Sequence, residues 1–180
     1  MTLRIREALP TDVPALVDLA ARTFPLACPP ELSRSAVEEF VRRHLDEVAF
    51  RRYLGDRTHT VLVGCESDGR TCAYALLVDG TAMDDSCAEL ITSRPTMGIS
   101  KFYLDPAHHG GGGAAQLLDA VMSTARTRGV ESLWLATNVA NGRARTFYLK
   151  NGFLPRGNRI FEVGGFDNVD VVYELPVTTR

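Results

Sequence analysis

The chain has 180 residues, of which 45% are hydrophobic and 23% are charged, and its formal net charge is −2. This length and composition are typical of one globular domain whose core needs neither disulfides nor metals, and the near-neutral charge excludes a general nucleic-acid-binding role. Because the sequence contains neither a membrane-length apolar stretch nor the apolar core of a signal peptide, we expect a cytoplasmic protein without a nucleic-acid or membrane partner.

The first part of the chain predicts one strand and then helices. Residues 2–8 alternate between apolar and polar side chains and predict a strand, and residues 10–24 predict a helix with Thr11 as its N-cap. After a proline-rich loop, a second helix is expected to begin near Ser33. The sequence leaves open whether residues 46–56 continue this helix or form a separate short one.

A hairpin and a central strand are predicted next. An Asp-Gly pair between two apolar runs predicts a β-hairpin formed by residues 58–66 and 71–80. Residues 80–97 show no periodicity, and residues 98–104 predict another strand.

The last part of the chain predicts two helices and three strands. They are a helix over 114–129, a strand over 131–137, a helix over 141–152 capped by Asn141, and closing strands over 153–163 and 168–177. The resulting order is β-α-α-β-β-β-α-β-α-β-β. It predicts a single α/β domain over 1–180, with one mixed, mostly antiparallel sheet of about seven strands and helices on both faces.

Four consecutive glycines stand between a predicted strand and a predicted helix. Glycine disfavours helix, but it lets the backbone turn sharply and approach a ligand closely. The first N–H groups of a helix lack partners and carry partial positive charge, so this turn suits an anion such as a phosphate. A flexible loop is the alternative. A Walker A loop is excluded because Ala114 and Ala115 occupy the Lys-Ser/Thr places, and the late position in the chain argues against a dinucleotide-binding turn.

The stretch YLDPAHHGGGGAAQLL resembles the acetyl-coenzyme A motif of the GNAT family of N-acetyltransferases, Q/R-x-x-G-x-G/A. His109 takes the Gln/Arg place, although the family usually carries Arg, Lys or Gln there and at Gly111, and this loop carries no fixed positive charge. The resemblance implies that the pyrophosphate is bound by backbone N–H groups of Gly110, Gly111, Gly112, Gly113 and Ala114. It also implies that the pantetheine arm pairs with the strand residues Phe102, Tyr103 and Leu104.

A second stretch, LWLATNVANGRARTFYLKNGF, resembles the other signature of the family. The matching residues are Asn141, Ala144, Phe147, Tyr148, Gly152 and Phe153. The resemblance implies that Tyr148 is the general acid that protonates the departing thiolate, and that Asn141 and Ala144 contact the cosubstrate. The alternative is that Tyr148 is a core aromatic residue like Phe147. Basic residues of this helix, Lys150, Arg143 and Arg145, either reach the 3′-phosphate or lie on a solvated surface.

The sequence does not identify a general base. Glu89, Asp84 and Asp85 precede the central strand and are candidates, with solvated loop carboxylates or an ordered water chain as alternatives. The resemblance implies that a backbone N–H near Tyr103 or Leu104 stabilises the oxyanion. The four cysteines form no CxxC pair and no histidine lies at ligand spacing from them, so we expect reduced thiols and no metal.

The C-terminal part resembles a branch of the family related to spermidine/spermine acetyltransferases. Gly157, Phe161, Gly164 and Asp170 match its tail, and Tyr173 stands near the place of its methionine. Acidic residues that suit a polyamine, or that are ordinary surface acids, lie in MDDSCAE and at Glu31, Glu38 and Glu39.

These resemblances imply direct acetyl transfer from acetyl-coenzyme A, through a tetrahedral intermediate, to a primary amine of a small molecule. A polyamine-like amine is one such acceptor. A peptide N-terminal or lysine acetyltransferase is the alternative within enzymes, and a non-catalytic acyl-coenzyme A sensor is the alternative outside them. Fold analogy suggests a homodimer through the last strands.

Overall fold

The computed structural model describes residues 2–29, 32–163 and 166–177, except for the side chains of 161–163 and 166. Its strands are β1 (Arg4–Glu7), β2 (His59–Cys65), β3 (Thr71–Asp79), β4 (Thr96–Leu104), β5 (Ser132–Asn138), β6 (Leu154–Val163) and β7 (Phe166–Pro176). Its α-helices are α1 (Val13–Thr23), α2 (Arg34–His44), α3 (Glu47–Gly55), α4 (Gly113–Thr127) and α5 (Gly142–Lys150). The predicted order of elements is confirmed, with residues 46–56 contributing the separate helix α3.

The strands form one mixed sheet in the order β1-β2-β3-β4-β5-β7-β6. Neighbouring strands are antiparallel except for β4 and β5, which run parallel. One hydrophobic cluster, which includes Leu16 and Phe50, packs α1 and α3 on one face of the sheet. A second cluster, which includes Leu117 and Tyr148, packs α4 and α5 on the other face. The chain is therefore a single α/β domain with helices on both faces, as predicted.

The start of α1 differs from the prediction. A short 3-10 turn over Pro10–Asp12 precedes the helix, so Thr11 lies inside this turn. The Asp12 carboxylate accepts a hydrogen bond from the Leu9 amide at 2.7 Å and pairs with Arg6 at 2.6 Å. The prediction that Thr11 caps α1 is wrong, because the carboxylate one residue further on binds the chain entering the helix.

The boundary between α2 and α3 has a local cause. Leu45 is fully buried and ends α2, and Asp46 then caps α3 by accepting a hydrogen bond from the Ala49 amide at 2.7 Å. A good N-cap residue directly after a buried leucine favours a new helix over continuation of the old one.

A buried carboxylate is one of the contacts that hold the irregular segment between β3 and β4 to the sheet. Glu174 on β7 is fully buried and accepts hydrogen bonds from the amides of Thr92 at 3.2 Å and Ser93 at 3.0 Å. It also pairs with Arg156 at 2.8 Å. These contacts order the segment without a strand ladder, which is why the sequence shows no periodicity there.

The four cysteines are all free thiols. Cys65 lies opposite Thr71 rather than Cys72 in the β2–β3 register, and no disulfide joins them. None of the helices in the described ranges is long and apolar enough to cross a membrane.

The sheet opens between β4 and β5. These strands pair at only three positions, where Thr96, Met97 and Gly98 lie opposite Ser132, Leu133 and Trp134. Gly98 is required at the last pair, because a Cβ there would come within 3.1 Å of the Trp134 ring. Beyond Gly98 the two strands separate, and the second half of β4 has no partner on its β5 side.

A β-bulge in β4 decides which side chains point into this opening. Leu77 lies opposite Ile99 and Leu76 lies opposite Lys101, so Ser100 is the extra residue. Ile99 packs in the cluster under α4, whereas Tyr103 packs in the cluster under α1. The bulge therefore turns Lys101 and Tyr103 to the face opposite that of Ile99.

Candidate active site

Two cavities meet at the opening between β4 and β5. The first, the glycine-turn cavity, has a volume of about 1030 Å³ and lies beside the turn before α4. The second, the Lys101 cavity, has a volume of about 1020 Å³ and lies on the α1–α2 side of the sheet. Both are lined by Ala27, Cys28, Pro29, Phe102, Tyr103, Asn138, Asn141, Ala144 and Tyr148.

The glycine-rich turn has the conformation that its sequence predicts. Gly110 and Gly112 have φ values of 78° and 80°, which only glycine adopts readily. Gly112 is the N-cap of α4 and supplies no side chain to the first N–H groups of the helix. Gly113 is buried, and a Cβ there would lie 3.2 Å from Leu104. The turn thus leaves backbone donors uncapped beside a cavity lined by Gly110, Gly113 and Ala114.

A positive charge missing from the loop sequence comes from α5. His109 Nδ1 accepts a hydrogen bond from Arg143 Nη1 at 2.5 Å, and His109 Nε2 donates to the Leu104 carbonyl at 3.3 Å. This arrangement uses the neutral imidazole, with its proton on Nε2. His109 and Arg143 both line the glycine-turn cavity. The neighbouring His108 is buried instead, with Nε2 lying 3.1 Å from Glu66.

Tyr148 lies at the meeting point of the two cavities. It is 7% exposed, and its ring packs edge-on against Phe102, Phe147 and Phe153. Burial raises the pKa of its hydroxyl, so the hydroxyl is protonated at neutral pH. A protonated tyrosine at this junction can donate a proton to either cavity.

The other predicted cosubstrate residues fall into two groups. Asn141 caps α5 as predicted, because its Oδ1 accepts a hydrogen bond from the Ala144 amide at 3.1 Å, and both residues line the two cavities. Leu104 lines the glycine-turn cavity. Lys150 lies exposed at the end of α5 and does not line either cavity. The structure therefore places the predicted site residues around the glycine-turn cavity, except for Gly111, Gly112 and Lys150, which line neither cavity.

The Lys101 cavity contains an ammonium group in apolar surroundings. Lys101 Nζ lies 5.8 Å from the centre of the Phe40 ring and 3.4 Å from Ser100 Oγ. Burial, together with the charge of Arg159, lowers the pKa of Lys101 to about 8. Phe40 stacks on Phe24, with their ring centres 4.5 Å apart.

None of the three predicted base candidates is an unpaired carboxylate that lines one of the cavities. Asp84 pairs with Arg159, while Asp85 and Glu89 are exposed and line neither cavity. Glu31 and Gly164 lie outside the described residues, as does the side chain of Phe161.

A carboxylate that was not considered as a base lines the Lys101 cavity. Asp170 on β7 lies opposite Asn138 in the sheet and is 6% exposed. Burial raises the pKa of its carboxyl group, although Arg159 pairs with Oδ2 at 3.1 Å. In the sequence, Asp170 is marked only by its match to the C-terminal motif of the branch related to spermidine/spermine acetyltransferases. Within the described ranges, no three His, Cys, Asp or Glu side chains form a group that could hold a metal.

The described sheet opens at its one parallel strand pair, and an uncapped helix N-terminus and a buried tyrosine lie at the opening. This arrangement is that of an N-acetyltransferase. The sequence profile of the acetyltransferase (GNAT) family matches residues 14–153, and the chain belongs to this family. The chain is 40% identical over 162 residues to an uncharacterized N-acetyltransferase of Mycobacterium tuberculosis, covering 90% of this chain and 96% of the relative. An uncharacterized N-acetyltransferase of Mycobacterium bovis matches equally well.

Solved structures share the fold at low sequence identity. The PaiA N-acetyltransferase of Thermoplasma acidophilum, solved with coenzyme A, matches with a TM-score of 0.72 and 17% identity, over 98% of this chain and 99% of that one. The ribosomal-protein-S18-alanine N-acetyltransferase of Escherichia coli matches with a TM-score of 0.70 and 18% identity, over 99% and 96%. The spermidine/spermine N-acetyltransferase SpeG of Vibrio cholerae matches with a TM-score of 0.67 and 15% identity, over 97% and 95%. Because the names of these proteins give different acceptors, the fold alone does not identify the acceptor of this chain.

Proposed function

We propose that the chain transfers an acetyl group from acetyl-coenzyme A, held in the glycine-turn cavity, to a primary amine of a small molecule in the Lys101 cavity. The observation that carries this proposal is the position of Tyr148 where the two cavities meet. A donor and an acceptor that enter from opposite faces of the sheet would meet at its hydroxyl.

The glycine-turn cavity fits the coenzyme. The uncapped N–H groups at Gly112 and Gly113 suit a pyrophosphate, and Arg143 adds a cation beside them. The side of β4 that faces away from β3 is unpaired from Ile99 onward, so its backbone can pair with the amide groups of the pantetheine arm. The bound coenzyme supplies the acetyl thioester at the junction of the cavities.

Direct transfer follows from the groups at the junction. A neutral amine nitrogen bonds to the thioester carbonyl carbon, the carbon–sulfur bond breaks, and Tyr148 gives its proton to the departing sulfur. Asp170 takes the proton that the amine loses, because it is the buried carboxylate on the acceptor side. Burial raises the pKa of the Cys28 thiol to about 11, so the one cysteine that lines both cavities is not a thiolate that could carry the acetyl group first.

The size of the Lys101 cavity supports a small acceptor. Its walls combine the apolar rings of Phe24 and Phe40 with polar groups of β4 and β7, as expected for a small-molecule site. A peptide N-terminus or a lysine side chain is the second candidate for the acceptor, because the exposed α2 residues Arg43 and His44 line the cavity. An acceptor panel that includes peptides separates the two.

Calorimetric titration of acetyl-coenzyme A tests the cosubstrate site. Gly112→Glu places a carboxylate in open space at the turn, and we expect it to abolish binding that is micromolar or tighter in the wild type. The matched control is Gly129→Glu at the other end of α4, since Gly129 also has a positive φ and open space around its Cα. Equal binding by Gly112→Glu and the wild type would contradict the proposed site.

Catalysis is measured separately as thiol release with an amine panel. Binding without thiol release in the presence of any amine would support a non-catalytic acyl-coenzyme A sensor over an enzyme.

A further inference from the structure

The acceptor side of the site contains the ammonium group of Lys101. Lys101 Nζ contacts the Phe40 ring and Ser100 Oγ, and among the described residues it forms no ion pair. The bulge at Ser100 is what turns this side chain into the cavity rather than into the core under α4. The cation–π contact with Phe40 offsets only part of the cost of desolvating a charged lysine, so the place of Lys101 in the acceptor cavity suits an anionic ligand.

Two carboxylates of the same cavity already have hydrogen-bond or ion-pair partners. Glu39 is paired with both Arg42 and Arg43. Asp56 accepts hydrogen bonds from Thr58 and faces His59 at 3.2 Å. A polyamine, which needs several free carboxylates, therefore finds few partners along α2 and α3.

One surplus negative charge remains at the other wall of the cavity. Asp84 and Asp170 share the single guanidinium of Arg159. Arg159 lies on β6, Asp170 on β7 and Asp84 in the segment before β4, whereas Lys101 lies on β4 itself. Since β5 separates β4 from β7 in the sheet and β4 diverges from β5, the two unbalanced charges stand on opposite walls of the opening.

We infer that the acceptor carries a carboxylate in addition to its amine, and that Lys101 binds this carboxylate. The amine then lies toward Asp170 and Tyr148, and the apolar part of the acceptor lies against Phe40 and Phe24. This inference rests on the proposed function and names the class of acceptor: an amino acid with a free carboxylate and an apolar or aromatic body.

Matched pairs of acceptors test the inference. Thiol release is measured with α-amino and ω-amino acids, with the carboxamide of each, and with spermidine and short peptides. The wild type is expected to use the best acid with a kcat/KM on the order of tenfold to a hundredfold above that of its carboxamide. Lys101→Met should bring this ratio close to one, chiefly by raising KM for the acid. Lys101→Arg, which keeps the charge, should retain most of the preference.

Each other outcome has a definite meaning. Equal use of acids and carboxamides, preference for spermidine or peptides, or an unchanged ratio in Lys101→Met would each overturn the inference while leaving acetyl transfer intact. Absence of turnover with every acid and carboxamide, in a protein that binds acetyl-coenzyme A, also overturns it. Absence of acetyl-coenzyme A binding overturns the proposed function itself, so the two failures are distinguishable.

Discussion

His109 connects the glycine-rich turn to helix α5, because its Nδ1 accepts a hydrogen bond from Arg143 at 2.5 Å while its Nε2 lies 3.3 Å from the Leu104 carbonyl oxygen. The imidazole thereby fixes a guanidinium beside backbone donors that belong to a different part of the chain. A loop without a basic residue at the motif positions thus acquires one from 34 residues further along the sequence.

Replacing Arg143 is expected to weaken coenzyme A binding. Arg143→Ala removes a guanidinium that we propose contacts a phosphate of the coenzyme, and we expect the dissociation constant to rise roughly tenfold, with a smaller effect at high salt. Calorimetry with coenzyme A and with dephospho-coenzyme A measures this. An equal loss for both ligands assigns Arg143 to the pyrophosphate, whereas a loss seen only with coenzyme A assigns it to the 3′-phosphate. Unchanged affinity for both would contradict a role in binding.

Removing the Tyr148 hydroxyl is expected to affect the chemical step. Tyr148→Phe should lower kcat by roughly a hundredfold to ten-thousandfold, the usual contribution of a general acid, with little change in KM for acetyl-coenzyme A. The matched control is Tyr173→Phe, because Tyr173 belongs to the same aromatic cluster, 6.3 Å from Tyr148 between ring centres, and lines neither cavity. Similar rates for the two variants would show that Tyr148 is a core aromatic residue.

The role of Asp170 is testable through the pH dependence of kcat/KM. A base acts only when deprotonated, so wild-type activity should fall as the pH drops through the pKa of Asp170, which burial raises above its ordinary value of 3.8. Asp170→Asn should lose this acid-side inflection and about a hundredfold in rate. Retention of the inflection in Asp170→Asn would assign it to another group, and a thermal melt of the variant checks that the fold is intact.

Lys101 should destabilise the folded protein at neutral pH. Its pKa falls from 10.5 in the unfolded chain to about 8 in the fold. The unfolded state therefore binds more protons between these values, and wild-type stability rises with pH across this window. The charge of Arg159 contributes to lowering the pKa of Lys101, and burial and the charge of Lys101 lower the pKa of His44 in turn.

Lys101→Met should consequently stabilise the protein by roughly 1 to 3 kcal/mol below pH 8, with the difference fading toward pH 10.5. Chemical denaturation of the wild type and the variant at several pH values measures it. A variant less stable than the wild type at pH 7 would mean that Lys101 is a structural residue.

The buried carboxylate under the β3–β4 segment should dominate the stability of that region. Glu174→Gln keeps the shape but weakens the hydrogen bonds from Thr92 and Ser93 and the pair with Arg156, and we expect a loss of about 2 to 4 kcal/mol. Glu131→Gln, an exposed glutamate at the start of β5, is the control and should change stability little. Urea denaturation compares the two.

Local patterns predicted most of the fold. The period of the apolar residues gave the strands and helices, the Asp-Gly pair gave the hairpin, and Asn141 gave the start of α5. The sequence does not determine where α2 ends, because Leu45 continues the apolar pattern, and only its burial beside the Asp46 cap explains the end of the helix. The prediction that Thr11 caps α1 was wrong because the sequence does not show which of two neighbouring polar side chains reaches the backbone.

The parts of the site that were not predicted depend on tertiary register. The bulge at Ser100 reverses the alternation of β4, and nothing in the residues 98–104 marks the extra position. The contact between His109 and Arg143 joins two elements whose relative placement the sequence does not contain. Asp170 becomes a buried carboxylate only because β7 pairs with β5 and not with β4.

The three residue pairs that join β4 to β5, here called the seam, divide the chain into two parts whose sequences can change independently. Ten residues between Phe24 and His44, before the seam, line the Lys101 cavity, whereas Tyr148, Asn141 and Arg143 come after it. Substitutions before residue 45 can therefore alter which amine is accepted without moving the proton donor. The same catalytic residues can serve a new acceptor after substitutions confined to the first quarter of the sequence.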